Sequence, residues 1–249
     1  MREFHPEESR ESVSLSLAHG SGFTLLELLV TMSIVSLLFW LTFPALHSFN
    51  SAKNLTASTA DIQGILTQAR TQAMLRNSYV YVGFFESDGS QSDTVRPAPA
   101  GTGRLWIGVA ATKDSTQGYN VTNSAAWSAV NITPVDKLHF FDNLHLATNA
   151  SFYSSSTTSN TVSPIGDLSA TNTPFGWPLD NSNTVTQFSQ GVIQFTPQGT
   201  AMLPGSSTIP EYIQIALIPT HGNLLAANTT NAAVIQVDAI TGSIRSFRP

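Results

Sequence analysis

The sequence predicts an α+β protein in which a long N-terminal helical segment precedes a β-rich head. Three observations carry this. Residues 23–46, FTLLELLVTMSIVSLLFWLTFPAL, hold one charge, Glu27. Residues 50–77 place apolar side chains at helical spacing. From Ser78 onward, short aromatic and β-branched stretches alternate with turn residues. The 249 residues suit one large domain or two small ones. Only 11% are charged and 41% are apolar, against about 25% charged in an average soluble domain. That balance excludes a disordered chain and reads as a folded protein with a neutral, hydroxyl-rich surface. Cysteine is absent, which excludes disulfides, thiolate metal sites and a cysteine nucleophile. The formal charge of −5 argues against a basic, nucleic-acid-coating role.

The apolar run comes first in chain order. A hydrocarbon core of about 30 Å needs about 20 helical residues, so residues 23–46 are long enough to span it. An ordinary signal peptide fits poorly, because the run exceeds the usual 7–15 residue core and no small-x-small cleavage site closes it. A buried soluble helix is seldom apolar on every face for six turns. A transmembrane helix is therefore expected at 23–46. Glu27 then stands out. An Asp or a basic residue at the centre of a span costs about 2.5–3.5 kcal/mol, and a position four residues into the run escapes part of that.

Gly22-Phe23-Thr24-Leu25-Leu26-Glu27-Leu28 resembles the processing site of type IV prepilins and type II secretion pseudopilins. The resemblance implies cleavage by a membrane prepilin peptidase between Gly22 and Phe23, then methylation of Phe23. It gives Glu27 the role of pairing with the N-terminal ammonium of a neighbouring subunit during filament assembly. Pro44 lies 21 residues after Phe23, where pilin helices commonly kink; proline removes one helical hydrogen bond and kinks or ends the helix. The partners implied are the peptidase and methylase, other pilins or pseudopilins, and inner-membrane lipid. The location implied is the inner membrane, single-pass, with the head in the periplasm. One departure is plain. The leader, residues 1–22, carries Arg2 and Arg10 against Glu3, Glu7, Glu8 and Glu11, so it gives no positive-inside signal.

An amphipathic continuation is expected over 47–77. Leu55, Ile62, Ile65, Leu66, Ala69, Ala73 and Met74 form one stripe, while Asp61, Gln63, Gln68, Arg70, Gln72 and Arg76 occupy the other faces. Arg70 and Arg76 read as solvated charges, Gly64 weakens the helix locally, and Asn77-Ser78 end it. The segment from Gly64 to Asn77, leading into Tyr79-Val80-Tyr81-Val82, resembles the GspH/FimT branch.

The head is expected over 78–249. Strands are predicted at Ser78–Glu86, Arg104–Ala111, Lys137–Phe141, Leu144–Leu146, Val192–Thr196, Tyr212–Ile218 and Ala233–Val237. Thr241-Gly242 turns the chain into a last strand at Ser243–Phe247, forming a hairpin. The C-terminal series VIQFTPQG, YIQIALIP and AVIQVDAITGSIRSF is similar to GspH-type pseudopilins, which implies a pilin-like antiparallel β-sheet head packed on the long helix. Residues 112–133 and 149–190 read as long polar surface loops with Trp127, Phe175 and Trp177 as isolated anchors. Their size, with the closing Tyr212–Pro249 pattern, resembles the Verru_Chthon cassette protein D group.

Catalytic signals are missing. No phosphate loop, nucleophile elbow or H-E-x-x-H pair occurs, and Gly101-Thr102-Gly103-Arg104 reads as a turn. His139 and His145 are the nearest approach to a metal pair, and exposed strand histidines are the simpler account. Asp136 and Asp142 carry no mark of a perturbed acid. The expectation is a non-enzymatic protein with no cofactor and no metal. The resemblance implies a minor pseudopilin, a structural subunit of a type II secretion or type IV pilus-like filament. Two alternatives stand beside it. FimT-like minor pilins bind DNA through a basic C-terminal segment, which points to Arg245 and Arg248, although the acidic head opposes it. The other is an unprocessed, membrane-anchored export protein, which leaves Glu27 and the Gly22-Phe23 junction unexplained.

Overall fold

A computed structural model describes residues 24–95, 98–115, 131–147, 162–165, 176–177, 186–188, 191–204, 209–225 and 231–248. Of residues 41–53, 162–164, 176 and 186–187 it describes the backbone alone. The leader, Gly22 and Phe23 lie outside the described residues, as do Trp127, Phe175 and most of the two polar inserts. The chain divides into two compact units, Met1–His47 and Ser48–Pro249. Helix α1 (Leu25–Arg76) contributes to both, and its backbone stays helical through Pro44.

In the first unit, every large apolar side chain from Leu25 to Trp40 is exposed. The hydroxyls of Thr31, Ser33 and Ser36 donate back to the carbonyls of Leu28, Val30 and Met32 at 2.7–2.9 Å. The polar atoms of an otherwise apolar surface are thereby satisfied within the helix.

In the second unit, α1 buries Leu55, Ile62, Ile65, Leu66, Ala69 and Ala73. The predicted stripe differs at two places. Thr59 is buried and returns its hydroxyl to the Leu55 carbonyl at 2.6 Å, while Met74 is 40% exposed. Asn77, with φ 48°, ends the helix in the left-handed region. The Ser78 amide donates to the Ala73 carbonyl and the Asn77 amide to the Met74 carbonyl, the paired bonds of a Schellman stop.

The strands are β1 (Val80–Asp88), β2 (Gly103–Thr112), β3 (Ile132–Pro134), β4 (His139–Asp142), β5 (Leu144–Ala147), β6 (Val162–Pro164) and β7 (Gly176–Trp177). After them come β8 (Thr186–Gln187), β9 (Gly191–Phe195), β10 (Ala201–Met202), β11 (Tyr212–His221), β12 (Leu224–Leu225), β13 (Ala233–Asp238) and β14 (Ile244–Phe247). Among the described residues they form two six-stranded sheets and a two-stranded ladder, β7-β8. One runs β10-β9-β1-β2-β3, with β4 also on β2; the other runs β12-β11-β13-β14, with β5 and β6 also on β11. Among the described residues the pairing is antiparallel except for β6, which lies parallel to β11.

Both sheets and the helix stripe close over one core. Val82, Phe84, Ile107 and Val109 from the first sheet meet Ile213, Ile215, Leu217 and Ile235 from the second, with Ile62, Leu66 and Ala69 of α1. Each fully buried Leu or Ile here contributes about 1.5–3 kcal/mol. The outer face of the first sheet is buried as well. Tyr81, Phe85, Trp106 and Ala110 pack with Phe188, and Trp177 joins them half-buried. The insert at 149–190 is therefore not wholly a surface loop. Its described parts supply β6, β7 and β8, and they bury Ile165 and Phe188 at 0% and 1% exposure.

The strand β14 lies along the helix. Gly242, just before it, packs on Arg70. The Ile244 carbonyl accepts from Gln63 Nε2 at 3.3 Å, and Ser246 Oγ donates to Gln63 Oε1 at 3.0 Å. Arg248 Nη2 reaches Thr56 Oγ1. From 242 to 248 the chain descends from helix position 70 to position 56, so β14 runs antiparallel to α1. The edge of the second sheet is covered by the helix rather than left open.

Candidate functional site

The described part of the processing motif begins at Thr24, which caps α1. Its Oγ1 accepts the Glu27 amide at 3.2 Å, and its carbonyl accepts the Leu28 amide at 3.1 Å. Thr24-Leu25-Leu26-Glu27 is therefore the T-x-x-E start of a helix, with the hydroxyl satisfying one of the free first-turn donors. Glu27 occupies the first turn and is exposed. A carboxylate there faces the positive end of the helix dipole. The cap escaped the sequence reading, although a hydroxyl residue three before a glutamate at the head of an apolar run signals it. Among the described residues, no helix is long and apolar enough to cross a membrane; the described side chains of the apolar run stop at Trp40.

Residues 18–43 match the family model of the prokaryotic N-terminal methylation motif. That motif is typical of type IV pilins and pseudopilins, and it suggests prepilin-peptidase processing, a membrane-anchored N-terminus and pilin filament partners. No curated protein and no solved structure matches the chain.

The head places the remaining candidates apart. Arg245 and Arg248 do not share a surface. Arg245 lines a small cleft with Tyr212, Gln236, Asp238 and Ser243, where Asp238 offsets its charge, while Arg248 turns to Thr56 of the helix. Arg70 differs from its expected solvated state. It is half-buried, and its Nε donates to the Gly199 carbonyl at 3.1 Å. Arg76 is exposed and bonds only along the helix, to Gln72 at 3.0 Å.

His139 and His145 also part company. His139 Nε2 lies 3.1 Å from Asp136 Oδ2. His145 Nδ1 lies 2.9 Å and 3.0 Å from the two oxygens of Glu86. Among the described residues, no cluster of three His, Cys, Asp or Glu side chains could hold a metal ion.

Glu86 is the residue that sequence reasoning missed. Its side chain is 2% exposed, and besides His145 it accepts the amides of Gly103 at 2.8 Å and Leu146 at 3.2 Å. It thus ties β1 of one sheet to β5 of the other. The only hint in the sequence is a carboxylate closing an apolar strand, and its partners lie up to 60 residues away. Asp142 likewise holds Arg104 across β4 and β2.

Proposed function

We propose that the protein is a minor pseudopilin that acts as a structural subunit rather than an enzyme. It is cleaved between Gly22 and Phe23, methylated on Phe23, and held in the inner membrane by residues 23–46 with its head in the periplasm. It then joins a type II secretion or type IV pilus-like filament. The observation that carries this reading is the methylation-motif match over residues 18–43, which contains the Gly22-Phe23 junction and the Thr24-capped first turn bearing Glu27.

The physical sense is direct. Cleavage leaves an ammonium on Phe23, immediately before the cap and beside the positive end of α1. Two positive ends in lipid are unfavourable, and Glu27 in the first turn offsets them. In a filament, the same carboxylate is available to the ammonium of a neighbouring subunit and so sets register between helices. The exposed apolar surface from Leu25 to Trp40, with its hydroxyls internally bonded, suits lipid or a bundle of like helices.

Mass spectrometry of the N-terminal peptide from the native membrane fraction tests the processing. A peptide beginning at Phe23 with one added methyl is expected; one retaining residues 1–22 replaces this reading with the unprocessed anchor. Glu27→Leu is expected to leave processing intact and to abolish filament incorporation, read by shearing and immunoblotting.

A further inference from the structure

The cap at Thr24 bears on the cut itself. Helix α1 takes Leu25 as its first residue. The Thr24 hydroxyl accepts the Glu27 amide at 3.2 Å, and the Thr24 carbonyl accepts the Leu28 amide at 3.1 Å. A capping residue stands outside the helix with non-helical φ and ψ, so this bonding marks where the helix stops. The methylation-motif match over residues 18–43 puts the Gly22-Phe23 junction immediately upstream. A hydrogen bond and a family match, independent of each other, thus meet at neighbouring residues.

Other helix starts compete with this one. The sequence Ser21-Gly22-Phe23-Thr24 offers two more caps, because serine outranks threonine at a helix start and glycine about equals it. A helix capped by Ser21 would take Gly22 and Phe23 into its first turn. One capped by Gly22 would take Phe23 as its first residue. In an α-helix each amide bonds the carbonyl four residues before it, and the cap's own carbonyl is already engaged. Both alternatives therefore commit the Gly22 carbonyl to the Leu26 amide. With the start at Leu25, the first engaged carbonyl is that of Thr24.

We infer that Thr24 is a positioning residue for the processing step. Its hydroxyl holds the helix start at Leu25, and this keeps the Gly22 carbonyl out of the helical ladder. That carbonyl is the group the peptidase has to attack. Water adds to its carbon, the bond to the Phe23 nitrogen breaks, and the products are the Gly22 carboxylate and the Phe23 ammonium. The inference rests on the reading that the chain is cleaved between Gly22 and Phe23.

Full-length wild-type chain and its Thr24→Ser, Thr24→Asn, Thr24→Ala and Thr24→Val variants are expressed in the native cell. The fraction beginning at Phe23 is followed by pulse-chase and mass spectrometry. The cleavage rate is expected to follow capping strength rather than side-chain shape. The serine and asparagine variants should match or exceed the wild-type rate. The alanine variant and the isosteric valine variant should be cut about fivefold more slowly, the factor by which a lost cap typically shifts a helix start. Equal rates for every chain overturn the inference. So does a valine variant cut as fast as wild type, which would mean that the peptidase reads the shape of residue 24. A wild-type chain that is never cut fails at the earlier step, and removes the processing reading together with the positioning role.

Discussion

Glu86 is a carboxylate that water scarcely reaches, and three donors from two sheets converge on it. Glu86→Ala leaves the amides of Gly103 and Leu146 and the His145 ring without their acceptor, and is expected to cost the head about 3 kcal/mol in urea unfolding. His145→Phe, with both backbone donors still served, should cost less. Two surface acids make a different prediction. The Thr241 amide, then that residue's hydroxyl and the Ile240 amide, hold the Asp238 carboxyl below its ordinary value. The Lys137 amide and the His139 ring do the same for Asp136. A carboxyl depressed on folding stabilises fully above the unfolded value near 4, and that contribution is lost as pH falls through the lower folded values. Asp136→Asn with Asp238→Asn should therefore flatten the acid limb of the stability–pH profile by lowering its neutral plateau, while stability at the acid end changes little. The residue scale is also where sequence reading reaches least. Glu86 is plain in the sequence, but nothing local announces partners some 60 positions on, and Arg70 looks solvated until the Gly199 carbonyl arrives from another strand.

At the scale of elements, glycines separate two kinds of tolerance. A Cβ at Gly64 meets nothing within 4 Å, so Gly64→Ala should raise head stability by up to about 1 kcal/mol through helix propensity alone. A Cβ at Gly108 would come within 2.4 Å of the Phe188 ring, because the outer edge of that ring abuts β2 where only glycine leaves room. Gly108→Ala is expected to cost about 1–3 kcal/mol and Phe188→Ala about 3–5 kcal/mol. In the Phe188→Ala background the Gly108 penalty should vanish, a coupling that a double-mutant cycle by chemical denaturation would measure. The elements themselves were largely legible. Six of the seven stripe residues of the amphipathic helix are buried, since period 3.6 is set by the helix alone, and Asn77 stops it as expected. Main strands match to within a few residues because apolar, β-branched runs bounded by turn residues mark them locally. The exceptions have physical causes. Met74, in the last turn, lies over the β9–β10 turn beside Gly199 and stays 40% exposed at the rim of the core. Phe188 and Ile165 sit in stretches whose Ser, Thr and Asn content reads as loop, although one or two apolar side chains suffice to pin such a stretch to a sheet.

On the scale of the molecule, one core joins two sheets and a helix, so the head should unfold as a unit. Far-UV circular dichroism reports the sheets, and Trp106 and Trp177 report the outer cover beneath Phe188. Their urea transitions are expected to coincide, and a Trp signal lost first would mean that the cover opens independently. The two-sheet arrangement was not legible, because strand order depends on pairings between β1 and β9 or β5 and β11 that no local pattern encodes. The seating of β14 along α1 also bears on how the protein is made. Ile244 follows Arg76 by most of the head in chain order, and at about 5–20 residues per second its synthesis lags the helix by on the order of 10 s. Through that interval the helix positions from Thr56 to Arg70 have no clasp. Closure of the head must come late on the ribosome or after release, when the N-terminal segment has long since found its surroundings.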